Sequence, residues 1–146
     1  MKTDLAKVAW TEALRVNVPD IDSDHQRLIQ LYNALVDDME SSYHAETIMH
    51  ALHFLVHYAL SHFAREKAFM ERIAYPQIEE HCALHSALEK KVRQIFDQFA
   101  LDKSPEFAQT IIVFLGDWLM NHIMKEDVAV GRYAFSVYGH EMGNND

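Results

Sequence analysis

Four segments of the chain place apolar residues at alternating steps of three and four, the rhythm that lays one face of an α-helix on a core. The first runs from about Ile21 to Met39 and carries His25, Leu28, Tyr32 and Leu35 on its stripe. Asp20, Asp22, Ser23 and Asp24 crowd its start, where acidic and hydroxyl side chains cap free N–H groups. The second runs from about Glu46 to Ile73 through Ile48, Leu52, Leu55, Ala59, His62, Glu66 and Phe69, and Tyr75-Pro76 is expected to end it. The third opens at Ile78 and keeps the rhythm through His81, His85, Leu88, Val92, Ile95 and Phe99. Ser104-Pro105 reads as an N-cap with proline in the first helical position. It opens a fourth helix through Ala108, Ile111, Leu115, Trp118 and His122.

Short connections between four amphipathic helices predict an all-α, up-down-up-down four-helix bundle. A single domain is expected: an N-terminal arm over 1–19, the bundle over about 20–130, and a tail over 131–146. Tyr133, Phe135 and Tyr138 suggest a short helix in that tail, before a polar, frayed end EMGNND. Four glycines and three prolines leave little material for the turns of an all-β fold.

Charge and cysteine narrow the function classes. The chain has 22 acidic and 13 basic residues, a formal charge of −9, which argues against nucleic acid or an anionic membrane as partner. One thiol, Cys82, cannot form an internal disulfide. Charges at Lys2, Asp4, Lys7 and Glu12 break up any signal-peptide core, and the longest apolar stretch is only Ile111 to Leu115. A cytoplasmic, monomeric protein is expected.

The chemistry comes from residues that conflict with burial. The inward stripes contain His25, His62, Glu66, His81, His85 and His122. A lone histidine on an apolar face is ordinarily a core residue with a hydrogen-bond partner. Six polar positions shared among four stripes need common compensation, because an unpartnered buried carboxylate is costly. Residues four apart on a helix differ by only about 40° in direction, so His62-x-x-x-Glu66 and His81-x-x-x-His85 can each aim at one point. Asp127 lies five residues after His122, about 140° away by the same arithmetic, so it joins the group only if the helix end is bent or approaches obliquely.

In order along the chain, H…HxxxE…HxxxH…HxxxxD resembles the hemerythrin family, specifically its bacterial single-domain members. The resemblance is carried by Trp10 near the start, IDSDH with His25, HYALSHFAREKAFM with His62 and Glu66, YPQIEEHCALH with His81 and His85, and DWLMNHIMKED with His122 and Asp127. It covers about residues 8 to 130. Asp24 stands where the family often has glutamine and Lys67 where a second glutamate is common; these changes are expected to alter the ligands' surroundings or the surface charge. The resemblance implies two irons. His81, His85 and His122 would bind one, His25 and His62 the other, and Glu66, Asp127 and an oxo or hydroxo group would bridge them. Five imidazoles with two carboxylates also suit iron better than calcium or magnesium, and no thiolate is available for an iron–sulfur cluster.

Six ligands then surround the first iron and five the second, leaving an open position on the two-histidine side. The implied function is reversible binding of dioxygen for transport, storage or delivery, without catalysis. Leu28, Phe63, Trp118, Leu119 and Ile123 are expected to wall the dioxygen pocket and keep it dry. Two alternatives remain: an oxygen or redox sensor working through a separate signalling or oxygen-using partner, and a di-iron enzyme acting on peroxide or nitric oxide. No glutamate here has a histidine three residues later, the pair that marks carboxylate-rich di-iron oxidases, which favours binding. His50, His53 and His57 should face away from the site, Cys82 is expected to be a small buried residue, and His44 and His140 have no partner at ligand spacing.

Overall fold

A computed structural model of the chain describes residues 5–139. Helices α1 (Pro19–Ser41), α2 (Ala45–Arg72), α3 (Ile78–Leu101) and α4 (Pro105–Asn121) form the bundle. Each packs on the next, and α4 returns to pack on α1. A π-helical segment, His122–Asp127, follows α4 without a break and leads into α5 (Val128–Tyr138). Among the described residues no helix is long and apolar enough to cross a membrane.

Local chemistry sets the element ends. Ser104 accepts a hydrogen bond from Phe107 N at 3.1 Å, and Pro105 occupies the first turn, so α4 starts where capping predicts. At α1 the structure differs from the expected acidic cap. The helix opens at Pro19, its N-cap is Val18, and no side chain caps it. Asp22 instead accepts from Val16 N at 2.8 Å and Asn17 N at 3.1 Å, tying down the arm. The end of α2 precedes Tyr75-Pro76. Ala74 takes a left-handed φ of 54°, and Tyr75 N reaches back to Met70 O at 2.9 Å, closing off the last turn.

The arm is packed down its length: Leu5, Leu14, Val16 and Val18 are buried, and Asn33 both donates to Val8 O and accepts from Val8 N, each at 2.8 Å. Where the arm crosses α5, a Cβ on Gly131 would collide with Val16 O, so glycine permits the contact. The aromatic segment expected after Gly131 is part of α5, which starts three residues earlier. Residues 1–4 and the polar end, including His140, lie outside the described residues.

The interior has three layers. At one end Leu35, Ile48, Leu52, Phe99, Ala108 and Ile112 are fully buried. At the other, Ile21, Phe69, Met70 and Ile73 pack with Val130 and Ala134 of α5. Between these apolar clusters the four helices and the π segment contribute the polar side chains of the site.

Candidate metal centre

His25, His62, Glu66, His81, His85, His122 and Asp127 are all buried, with Glu66 and His25 at 0% exposure. α1 supplies His25, α2 supplies His62 and Glu66, α3 supplies His81 and His85, and α4 with its π segment supplies His122 and Asp127. The five-residue gap in the last pair is absorbed by the π segment, whose wider i→i+5 turn brings Asp127 onto the His122 side. That is the bend the sequence required but did not display.

The donor atoms form two groups that share both carboxylates: Glu66, His81, His85, His122 and Asp127 in one, and His25, His62, Glu66 and Asp127 in the other. Each carboxylate turns one oxygen toward each group. Glu66 Oε1 is 3.0 Å from His81 Nε2 and 3.2 Å from His85 Nε2, while its Oε2 is 3.7 Å from His62 Nε2 and 3.9 Å from His25 Nε2. Asp127 Oδ1 is 3.0 Å from His81 Nε2 and 3.2 Å from His122 Nε2, and its Oδ2 is 2.9 Å from His25 Nε2.

These contacts do not add up to a hydrogen-bonded core. Glu66 Oε2, both oxygens of Asp127 and His25 Nδ1 are buried without a hydrogen-bond partner. The short approaches to Asp127 therefore lie off the hydrogen-bonding directions. Imidazole nitrogens also face each other, His25 Nε2 to His62 Nε2 at 3.1 Å and His85 Nε2 to His122 Nε2 at 2.9 Å. A first-row divalent metal such as zinc holds imidazole nitrogen at about 2.1 Å, which separates two ligands at right angles by about 3.0 Å. The nitrogen pairs have that spacing, so the residues fit a pair of metal ions.

Electrostatics point the same way. Burial and the carboxylate of Asp127 push Glu66 up, but hydrogen bonds from His81 and His85 outweigh them and leave it below the usual carboxylate range. Burial opposes ionisation of Asp127 too, and the nearby imidazoles of His122, His25 and His81 hold it well below its ordinary value. Burial lowers the pKa of His81, but hydrogen bonds to Asp127 and Glu66 raise it to about 9, so protonated imidazole balances the carboxylates in the metal-free layer, a role that bound cations would take over.

Beside this cluster lies an apolar cavity of about 40 Å³. Leu28, Phe63, Trp118, Leu119 and Ile123 line it, together with residues that sequence reasoning passed over as core: Tyr32, Ala59, Leu88 and Leu115. A signal for these existed, since each lies on a stripe that carries a site residue, one or two turns away. The cavity touches His25, His62, Asp127 and His122, but neither His81 nor His85. Phe63 stacks on the His85 ring at 3.7 Å between centroids and Trp118 on His122 at 4.4 Å, so aromatic faces hold two of the imidazoles.

Other sequence candidates fall elsewhere. His50, His53 and His57 are exposed, with His53 stacked on Phe96, and His44 is exposed at the start of α2. Cys82 is half-buried, contrary to the expectation of a buried position, because α3 turns it to the rim of the bundle. Asp24 was the residue sequence reasoning underrated. It is 7% exposed and accepts hydrogen bonds from Tyr58 Oη at 2.8 Å, His62 Nδ1 at 2.9 Å and Arg65 Nε and Nη2 at 2.8 and 2.9 Å. Burial alone would raise its pKa; the bonds from His62, Arg65 and Tyr58 instead hold it far below the usual range.

A helical bundle that buries histidines around shared carboxylates has the features of a non-haem metal-binding protein. The chain matches the Hemerythrin HHE cation binding domain over residues 16–133, and it belongs to that family. It is 29% identical to a bacteriohemerythrin of Pseudomonas paraeruginosa over 123 residues, 84% of this chain and 78% of that protein. With a bacteriohemerythrin of Methylococcus capsulatus it shares 30% identity over 128 residues, covering 87% of this chain and 96% of the relative. A crystal structure of a hemerythrin mutant superposes with a TM-score of 0.75 at 26% identity, over 88% of this chain and 98% of the other. Family membership and the His/Glu/Asp cluster together support a non-haem iron site and oxygen binding.

Proposed function

We propose that this chain binds dioxygen reversibly at a di-iron centre, as a carrier, store or delivery protein and not as an enzyme. The observation that carries the reading is the position of the cavity: it touches both histidines of the four-donor group, but of the five-donor histidines only His122, and neither His81 nor His85. His81, His85 and His122 would hold one iron and His25 and His62 the other, with Glu66, Asp127 and a solvent-derived oxygen bridging. Five protein donors would surround the first metal and four the second, so a ligand would have more room on the two-histidine side, where the cavity lies. When bound, the metals supply the electrons that dioxygen takes up and returns.

The chain's own residues then have separate tasks. Glu66 and Asp127 would offset part of the charge of the paired cations in a buried layer. Leu28, Phe63, Trp118, Leu119 and Ile123 present carbon to the open position, and an apolar wall keeps out water and acids that would carry off reduced oxygen and leave the site oxidised. A cavity of this size is about three times what one water needs, enough for a diatomic gas and too small for an organic substrate. This contrast favours gas binding over oxidation of a substrate. In this reading the chain works as a cytoplasmic monomer that passes dioxygen to an oxygen-using or signalling protein.

The test is an iron assay followed by anaerobic reduction and controlled air exposure, followed by visible absorption. Two irons per chain and a spectrum that cycles with dioxygen are expected, with Leu119→Ala oxidising irreversibly faster than the parent. Turnover of peroxide without reversible cycling would overturn the proposal.

A further inference from the structure

The two histidines of the four-donor group have unlike surroundings. His25 Nδ1 is buried without a hydrogen-bond partner, whereas His62 Nδ1 meets the carboxylate of Asp24 at 2.9 Å. An ionised carboxylate only accepts, so Nδ1 carries the proton, and in the neutral ring that binds a metal Nε2 keeps its lone pair. That Nε2 is the atom facing His25 Nε2 and the Glu66 carboxylate.

Asp24 is itself restrained. Arg65 grips it with Nε on Oδ2 and Nη2 on Oδ1, Tyr58 Oη bonds Oδ1, and the Arg65 guanidinium lies 5.5 Å over the Tyr58 ring. Oδ2 therefore shares its charge between His62 and Arg65. A carboxylate acceptor draws the Nδ1 proton away from the ring and increases electron donation through Nε2. A cation on the same oxygen tempers that pull.

We propose that Asp24 is a positioning and tuning residue: its carboxylate fixes the tautomer of His62 and, restrained by Arg65 and Tyr58, sets the reduction potential of the metal on the two-histidine side. The inference rests on the di-iron reading above.

Opposite signs distinguish tuning from scaffolding. Asp24→Asn removes the anionic acceptor and should raise the potential, lowering the ferric-to-ferrous ratio at fixed poise about tenfold, equivalent to about 59 mV for one electron. Arg65→Gln frees Oδ2 and should move the ratio the other way by a smaller factor. Tyr58→Phe should follow Arg65→Gln. Redox titration is made on protein verified to hold two irons per chain, alongside the exchangeable, hyperfine-shifted Nδ1–H resonance of His62, which should shift in opposite directions in Asp24→Asn and Arg65→Gln. If Asp24→Asn does not retain iron, the Arg65→Gln and Tyr58→Phe potentials decide, and both must fall. Potentials that all shift one way, or that coincide within a twofold ratio, overturn the inference. Parent protein without two irons overturns the di-iron reading instead.

Discussion

The apolar end of the bundle and the polar layer beside it use the same helices and the same rhythm, but they are held by different forces. Around Leu35, Ile48, Leu52, Phe99 and Ile112 every stripe position is carbon, and each fully buried side chain contributes roughly 1.5–3 kcal/mol by leaving water. A turn or two along, the stripes carry five imidazoles and two carboxylates at equal burial, four of whose polar atoms have no partner. Burial there costs free energy unless something bound to the layer supplies the missing interactions. The difference teaches that depth in the fold and contribution to stability are separate properties, and that one bundle can hold a self-sufficient half and a dependent one.

The largest effect follows from removing what the polar layer depends on. Stripping metal with a chelator should destabilise the protein by roughly 10 kcal/mol or more, the scale of a structural ion in a small domain. Calorimetry of the loaded and stripped forms measures this, and hydrogen exchange should locate the loss at His62–Glu66 and the π segment, leaving Ile48–Leu55 more protected. Stripped protein that melts at the temperature of the loaded form would show that protons alone satisfy the layer, and the comparison would collapse.

A second, smaller perturbation acts on the other half. Leu52→Ala removes a fully buried side chain far along α2 from Glu66 and should cost about 2–5 kcal/mol in denaturant unfolding. Because Leu52 lines neither the cavity nor the donor groups, its cost should be the same with and without metal to within about 0.5 kcal/mol, and iron content should stay at two per chain. A fall in iron content would mean that the two halves are mechanically coupled.

The same contrast explains what the sequence could convey. The bundle was legible because carbon-rich stripes repeat for about four turns or more, and His62, Glu66, His81 and His85 were legible because a four-residue step keeps side chains on one face. Asp127 was harder: its place depends on a π turn, and HIMKED has no proline, glycine or other visible breaker to announce one. Asp24 was left between the ligands' surroundings and the surface because it sits one step from His25, off the inward stripe, where charge usually meets solvent. Its burial comes from Tyr58 and Arg65 on the neighbouring helix, a tertiary arrangement with no local signature. The acidic start of α1 misled for a related reason. Asp22 satisfies backbone N–H groups of the arm instead of its own helix, a choice made by where the arm runs.

The finest test lies at the start of α4, the end of that helix remote from His122. Ser104 Oγ takes one of the otherwise unpaired N–H groups of the first turn, that of Phe107. Ser104→Ala should cost about 1 kcal/mol in denaturant unfolding, and Ser104→Gly less, since glycine leaves the N–H open to water. Ser104 is only half-buried and Phe107 packs on the apolar cluster, so the loss belongs to the self-sufficient half alone. Iron content, dioxygen cycling and the additional stability conferred by metal should all match the parent. If so small a change at the cap altered metal binding, α4 would be acting as a rigid lever on the π segment, and the boundary between the two halves would have to move from the middle of the bundle to the cap itself.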